Sequence, residues 1–175
     1  MTSIPSNPTN HATLHVGMGD SVLGRFAVAA RGGRIVAVVF GDNDASLLAD
    51  LRRRFPGASL AADGGTADLL QAVAELIARP TAAASLPLDP VGTKFQKSVW
   101  TALRRLPAGA TASYAEIAAA IGAPKAVRAV AGACAANPIA VAIPCHRVRP
   151  KAGGIGGYRW GAERKAALLR AEAAL

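Results

Sequence analysis

The sequence predicts a mixed α/β (α+β) protein in two parts, and three observations carry that expectation. Up to Phe40 the chain holds short runs rich in Val, Ile, Leu and Phe bounded by glycine. Beyond Phe40 apolar residues recur at helical spacing. A stretch rich in Pro, Ala and Ser, Arg79 to Pro90, falls where the charge balance changes. The chain has 175 residues, of which 51% are apolar, enough for a packed interior.

Residues 1–10 are polar, contain Pro5 and Pro8, and lack a basic start followed by an apolar core, so they read as a disordered lead and not a signal peptide. The amino-terminal part, 11–90, opens with three strand-like segments, Ala12 to Val16, Gly24 to Ala30 and Arg34 to Phe40. Arg31-Gly32-Gly33 joins the last two as a hairpin. Asp42 to Phe55 begins with helix-starting Asp and Asn and places Leu47, Leu48 and Leu51 at helical spacing before Pro56-Gly57 stops it. A second helix covers Thr66 to Ala78, with Leu69, Leu70, Val73 and Ile77 inward. His11 and His15 stand four apart with no Cys or carboxylate beside them, which favours a mobile or structural role over metal binding.

The second part, 91–175, is predicted to be helical. Thr93 to Arg105 sets Phe95, Val99, Trp100 and Leu103 on one stripe, and Pro107-Ala108-Gly109 turns the chain. Ser113 and Glu116 form a capping-box signature opening a helix that Gly122 closes, and Ala123-Pro124 starts another running to about Ala136. Two short helices around a glycine turn fit a helix-turn-helix, and also fit plain helix packing. The second of them carries only Lys125 and Arg128 as charges, while Ala126, Ala129, Gly132, Ala133, Ala135 and Ala136 leave it nearly bare. Such a surface approaches another backbone, or the floor of a DNA groove, closely.

Charge favours the groove. Residues 1–90 hold seven Arg and Lys against eight Asp and Glu, whereas 91–175 hold thirteen against Glu116, Glu163 and Glu172 alone. A basic field of this kind suits a polyanion through counterion release, and a solvated basic face is the bland alternative. No apolar run reaches the length of a membrane span, and two cysteines without a disulfide framework fit a reducing compartment, so the expectation is a cytoplasmic protein with no membrane partner.

The chemistry centres on Pro144-Cys145-His146-Arg147. A thiol is mostly protonated at neutral pH, and a base that takes its proton makes it a strong nucleophile. Adjacent residues of an extended segment face opposite ways, so His146 serves Cys145 only through a bent backbone or a bridging water. A histidine base needs a carboxylate to orient it. Among the three acids of this part, Glu116 is engaged in capping and Glu163 opens a helix, which leaves Glu172 near the end of the last helix. The competing reading of Cys145 is a buried inert cysteine.

Asn137, Ile143-Pro144-Cys145-His146-Arg147-Val148, Gly156-Gly157-Tyr158-Arg159-Trp160-Gly161 and Arg164-Lys165 through Leu168-Leu169 to Glu172 resemble the 6-O-alkylguanine-DNA alkyltransferases. Phe95-Gln96, Val99-Trp100, Ser113-Tyr114 and Lys125 to Val130 match as well, so the likeness spans residues 92 to 172, and Tyr158-Arg159-Trp160-Gly161 is similar to the carboxy-terminal portion of bacterial adaptive-response proteins. The resemblance implies a ribonuclease-H-like amino-terminal domain packed on a winged-helix-like DNA-binding domain. It implies irreversible, single-turnover transfer of an alkyl group from 6-O-methylguanine in double-stranded DNA to Cys145, with 4-O-methylthymine as a second substrate, by a monomer that needs no cofactor. His146, held by Glu172, takes the thiol proton through a water; Tyr114 donates to the departing base; Asn137 braces the nucleophile's segment. Arg128 fills the space of a base rotated out of the duplex, at a cost of about a few kcal/mol. Lys125, Ala126, Ala129 and Tyr114 share that DNA contact, and Val148, Gly156, Tyr158 and Arg159 line the guanine pocket.

Arg149-Pro150-Lys151-Ala152-Gly153-Gly154 departs from the family pattern and leaves that loop's conformation open. Some relatives carry zinc; without upstream cysteines no metal is expected here, nor metal-linked phosphotriester repair or transcriptional activation. Cys134 reads as a small packing residue. Two rivals remain: a lesion-binding relative without catalysis, against which Cys145 argues, and a cysteine hydrolase that would turn over and ignore DNA.

Overall fold

The computed structural model describes residues 12–62, 65–80 and 85–174. The expected disordered lead and His11 lie outside these residues.

Strands β1 (Thr13–Ser21), β2 (Gly24–Arg31) and β3 (Arg34–Phe40) form an antiparallel meander, and β4 (Ser59–Ala62) adds parallel to β1, giving the order β3-β2-β1-β4. Helix α1 (Asp44–Arg54) links β3 to β4, and α2 (Ala67–Ala78) follows β4. Asn43 opens α1, not Asp42, because its side chain accepts from Ser46 N while Ser46 Oγ accepts from Asn43 N. Two strand expectations need correction. β1 continues past Val16 to Ser21 because Gly17 to Ser21 pair with β2, despite poor strand propensity. β4 was not foreseen in Ser59 to Ala62, and its pairing to β1 supplies the order that composition does not.

Alternation along the strands divides the interior. Ala27, Ala29, Val36, Ala37 and Val39 pack with Leu14, Val16, Leu47 and Leu51. Phe26, Val28, Ile35 and Val38 join Val73 and Ile77 in a larger cluster that also takes in Val99, Trp100, Ile139, Ile143 and Leu168. One core therefore runs through both halves of the chain. The end of the proline-rich stretch pairs with β3: Ile35 N donates to Pro87 O (2.7 Å), and Asp89 N donates to Ile35 O (2.8 Å). Further along the same edge Val38 N donates to Pro138 O (3.0 Å), and Ala140 N donates to Val38 O (3.0 Å). The outer edge of β3 is thus covered by chain that leads directly to Cys145.

In the second half α3 (Lys94–Arg104) is capped by Thr93 and Gln96, and Trp100 Nε1 donates to Ala133 O across the core (2.9 Å). Gly92 is required there, since a Cβ would sit 2.5 Å from the Trp100 ring. β5 (Ala112–Ser113) precedes α4 (Tyr114–Ala120), and α5 (Val127–Ala135) follows a tight connection. α5 starts later than expected from Ala123-Pro124. Gly122, at φ +74°, ends α4, and Ala126 N donates to Ala123 O in a separate turn (2.8 Å). A residue before proline also resists helical geometry, which delays the helix to Val127. A 3₁₀ turn over Cys145–Arg147 leads to β6 (Val148–Arg149), parallel to β5, and α6 (Ala162–Ala173) ends the described chain. Among the described residues no helix is long and apolar enough to cross a membrane.

Candidate active site

Asn137 organises the approach to the thiol. Its Oδ1 accepts from Ile139 N (2.9 Å), and its Nδ2 donates to Ile143 O (2.8 Å) and to Cys145 Sγ (3.1 Å). Between these anchors Val141 takes φ +66°, a left-handed conformation that costs a β-branched residue about 1–3 kcal/mol and persists only where its surroundings enforce it. The 3₁₀ turn then swings successive side chains about a third of a revolution apart, so His146 leaves the chain in a different direction from Cys145 without facing directly away. This is the bend that an extended Cys-His pair lacks.

The thiol is buried, and burial pushes it up to about 11 against the opposing hydrogen bond from Asn137. His146 is fully buried, with Nε2 2.7 Å from Glu172 Oε1. Burial holds its imidazole below the ordinary range, in the neutral form, although Glu172 works the other way. Glu172 is buried too, which alone would raise its carboxyl, but hydrogen bonds from His146 and Arg147 and from Gly109 N hold it down to about 2. A carboxylate has no proton to give, so His146 Nε2 carries the hydrogen and Nδ1 presents a lone pair. Among the described residues that Nδ1, which is buried, has no hydrogen-bond partner.

Sequence reading missed Arg147 and Lys165. Arg147 Nη2 and Nε grip Glu172 at 2.8 and 3.0 Å, while Nη1 donates to Leu106 O (2.6 Å). Its position inside the Cys-His motif was the available signal. Lys165 is fully buried in α6 and donates to Val148 O (2.7 Å) and Gly157 O (3.0 Å); nothing in the periodicity of α6 separates it from a solvated lysine.

A cleft of about 280 Å³ opens beside Cys145, walled by Tyr114, Ala131, Cys134, Gly157, Tyr158 and Arg159 among others. Cys134 therefore faces the cleft as well as packing. Tyr158 stands edge-on to His146 (6.5 Å between ring centres) and to Trp160 (5.3 Å), and its buried hydroxyl has no hydrogen-bond partner among the described residues. Burial raises the Tyr114 hydroxyl, so it keeps its proton. Val148 and Gly156, expected in the pocket wall, are absent from this lining. Val148 is fully buried opposite Ala112, and Gly156, at φ +74°, lies against Pro150, where a Cβ would come within 2.6 Å of the ring. Their neighbour Gly157 meets the cleft instead. Lys125, Arg128 and Ala129 are exposed at the start of α5, with Ala126 half-buried. Among the described residues no group of three His, Cys, Asp or Glu could hold a metal ion.

The chain has relatives among known proteins. The model of the 6-O-methylguanine DNA methyltransferase DNA-binding domain matches residues 94–174. The chain is 52% identical over 161 residues to the bifunctional transcriptional activator/DNA repair enzyme Ada of Escherichia coli (89% of this chain, 44% of Ada). It is 43% identical to the inducible methylated-DNA--protein-cysteine methyltransferase of Bacillus subtilis (69% of this chain, 68% of that protein). The chain spans less than half the length of Ada and of the similar regulatory protein of Salmonella typhimurium. Its fold aligns with the crystal structure of Mycobacterium tuberculosis OGT in complex with DNA at a TM-score of 0.72 and 32% identity, covering 91% of this chain and 93% of that one. On this likeness in sequence and fold, the chain belongs to the 6-O-methylguanine DNA methyltransferase family.

Proposed function

We propose that this protein repairs 6-O-alkylguanine in duplex DNA by transferring the alkyl group once and irreversibly to Cys145. The observation that carries the reading is a polarised chain of groups, Glu172 to His146 to the Cys145 region, ending beside an open cleft next to the bare face of α5. His146 Nδ1, through a bridging water, takes the thiol proton, and the resulting imidazolium is paired with Glu172. Cys145 Sγ forms the new S–C bond as the bond from the alkyl carbon to the guanine oxygen breaks. Those electrons pass into the guanine ring, which takes a proton from Tyr114 as the Tyr114 oxygen regains one from the His146 imidazolium through water, so that both side chains end neutral. Asn137 holds Sγ in line. The thioether has no route back to thiolate, so the protein acts once.

Reaching a base in the duplex requires rotating it out of the stack, and Arg128, exposed on α5 above the cleft wall, is the side chain we assign to the vacated space. Lys125, Ala126 and Ala129 line the close approach to the groove, while Tyr158 and the main chain of Gly157 and Arg159 hold the flipped base. The meander order with β4 parallel to β1 supports a ribonuclease-H-like reading of the first half, and the α4-α5 pair beside the β5-β6 ladder supports a winged-helix-like reading of the second.

The test is intact-protein mass spectrometry with peptide mapping after incubation with a duplex containing 6-O-methylguanine. One added methyl group on Cys145, saturating at one per protein, is expected. Cys145→Ala should abolish transfer and keep DNA binding, and Arg128→Ala should slow repair of duplex DNA. Duplex binding with no added mass on the reduced, folded protein would instead favour a silent lesion binder.

A further inference from the structure

From Lys125, just before α5, an exposed lane runs along the helix through Arg128, Ala129, Gly132 and Ala135. It does not end in neutral surface. Arg159 Nη1 donates to the carbonyl of Ala135, the last residue of α5 (3.3 Å), and its Nη2 reaches Asp50 Oδ1 on α1 (3.3 Å). Asp50 also pairs with Arg53 and with Arg54 Nε (3.1 Å). Three guanidiniums thus surround one carboxylate, which leaves the cluster with an excess of two positive charges.

The cluster has a floor and a rim. The side chains of Asp50 and Arg54 are 15% and 10% exposed, whereas those of Arg53 and Arg159 are 70% and 29% exposed. The carboxylate and Arg54 therefore form the base, and the two remaining guanidiniums present donors outward. They border an open cleft of about 460 Å³ that Ser46 and Trp160 share, with Asp42 at its edge. Planar guanidiniums in pairs match the oxygens of a phosphate diester. Holding like charges together on a surface costs free energy unless a polyanion meets them.

We infer that the DNA-binding surface continues off the end of α5 onto α1, where Arg53 and Arg159, seated on Asp50, take backbone phosphates of the duplex. This rests on the DNA-repair reading above. It extends that reading because Asp50 and Arg53 lie outside the 94–174 region matched by the DNA-binding-domain model. The amino-terminal half then contributes a phosphate contact of its own, which positions the duplex without reading its sequence.

The test is the salt dependence of binding to an undamaged duplex by the full chain, compared for wild type, Arg53→Ala, Arg53→Glu and Arg52→Ala. Arg52 is exposed on the same helix but outside the cluster and its cleft. Loss of one phosphate contact should flatten the slope of log K against log salt by about one and weaken binding by up to about tenfold at 0.1 M salt. Arg53→Glu should weaken it further, and Arg52→Ala should keep the wild-type slope. A wild-type slope in both Arg53 variants, or an equal change from Arg52→Ala, overturns the inference. Methyl transfer to Cys145 in the wild-type protein is measured alongside: its presence with an unchanged Arg53 slope defeats this contact alone, whereas its absence defeats the repair reading.

Discussion

Glu172 Oε1 lies 2.7 Å from His146 Nε2, and the same carboxylate accepts from Arg147 Nε and Nη2 and from Gly109 N. One side chain near the end of α6 therefore orients the imidazole, neutralises a buried guanidinium and ties down the turn after α3. Glu172→Gln should fail in two ways. The amide cannot stabilise an imidazolium, so transfer to Cys145 should slow by about a hundredfold or more. It also leaves Arg147 buried without its countercharge, which should cost about 3–5 kcal/mol in urea unfolding. A variant with wild-type transfer kinetics would remove Glu172 from the mechanism whatever its stability.

The acid limb of stability should carry the same signature. The Glu172 carboxyl is held down to about 2 in the folded protein against an ordinary 4.5, so its contribution is complete above pH 4.5 and is lost as pH falls toward 2. His146, held neutral by burial, acts in the same direction: the unfolded chain takes up its proton first as pH drops below about 6.5. Stability should thus fall from about pH 6 downward and steepen below pH 4.5, Glu172 accounting for roughly 2 kcal/mol of the loss by pH 3. Urea midpoints from pH 7 to 3 check this. Glu172→Gln should flatten the steep part, and an unchanged acid limb in that variant would contradict the assignment.

Much of this arrangement was legible in the sequence, for identifiable reasons. β2 and β3 announce themselves because every buried position is apolar, and Asn43, Thr93 and Ser113 announce helix starts because capping is local. The Cys145-His146 pair stands out by chemistry, and Glu172 emerged because so few acids were available to meet a histidine. What stayed hidden depends on long-range pairing. Gly17 to Ser21 and Ser59 to Ala62 become strands only through their ladder partners. Lys165 is buried where the carbonyls of Val148 in β6 and of Gly157 converge on it, which no periodicity encodes.

Free Cys145 should be a sluggish thiol. Burial pushes it up to about 11, so alkylation by iodoacetamide in the absence of DNA should be slow at pH 7 and rise about tenfold for each pH step until close to that value. Asn137→Ala removes the hydrogen bond that partly offsets burial. It should raise the thiol further, slow labelling at every pH below the plateau, and slow alkyl transfer. Labelling rates followed by mass spectrometry, with Cys145→Ala correcting for Cys134, check it. A thiol that labels rapidly at pH 7 would show that it is activated before substrate arrives.

Lys165 offers the sharpest separation of position from packing. Among the described residues its buried ammonium meets two neutral carbonyls and no carboxylate, and those carbonyls, on Val148 and Gly157, belong to the two ends of the loop that carries Pro150 and Gly156 past the cleft. Methionine fills similar space but donates nothing. Lys165→Met should therefore leave two carbonyls unpaired at a cost of about 1–3 kcal/mol, partly offset because a buried charge is gone. The larger effect should fall on the cleft, since Gly157 and Tyr158 lose the tie that sets their distance from Cys145. Weaker capture of 6-O-methylguanine, seen as a raised half-saturating concentration in single-turnover transfer, is expected with the protein still folded. Lys165→Arg, which keeps the donors, should recover part of that loss. Transfer that is unaffected by Lys165→Met would mean the loop holds its shape through Gly156 and Pro150 alone.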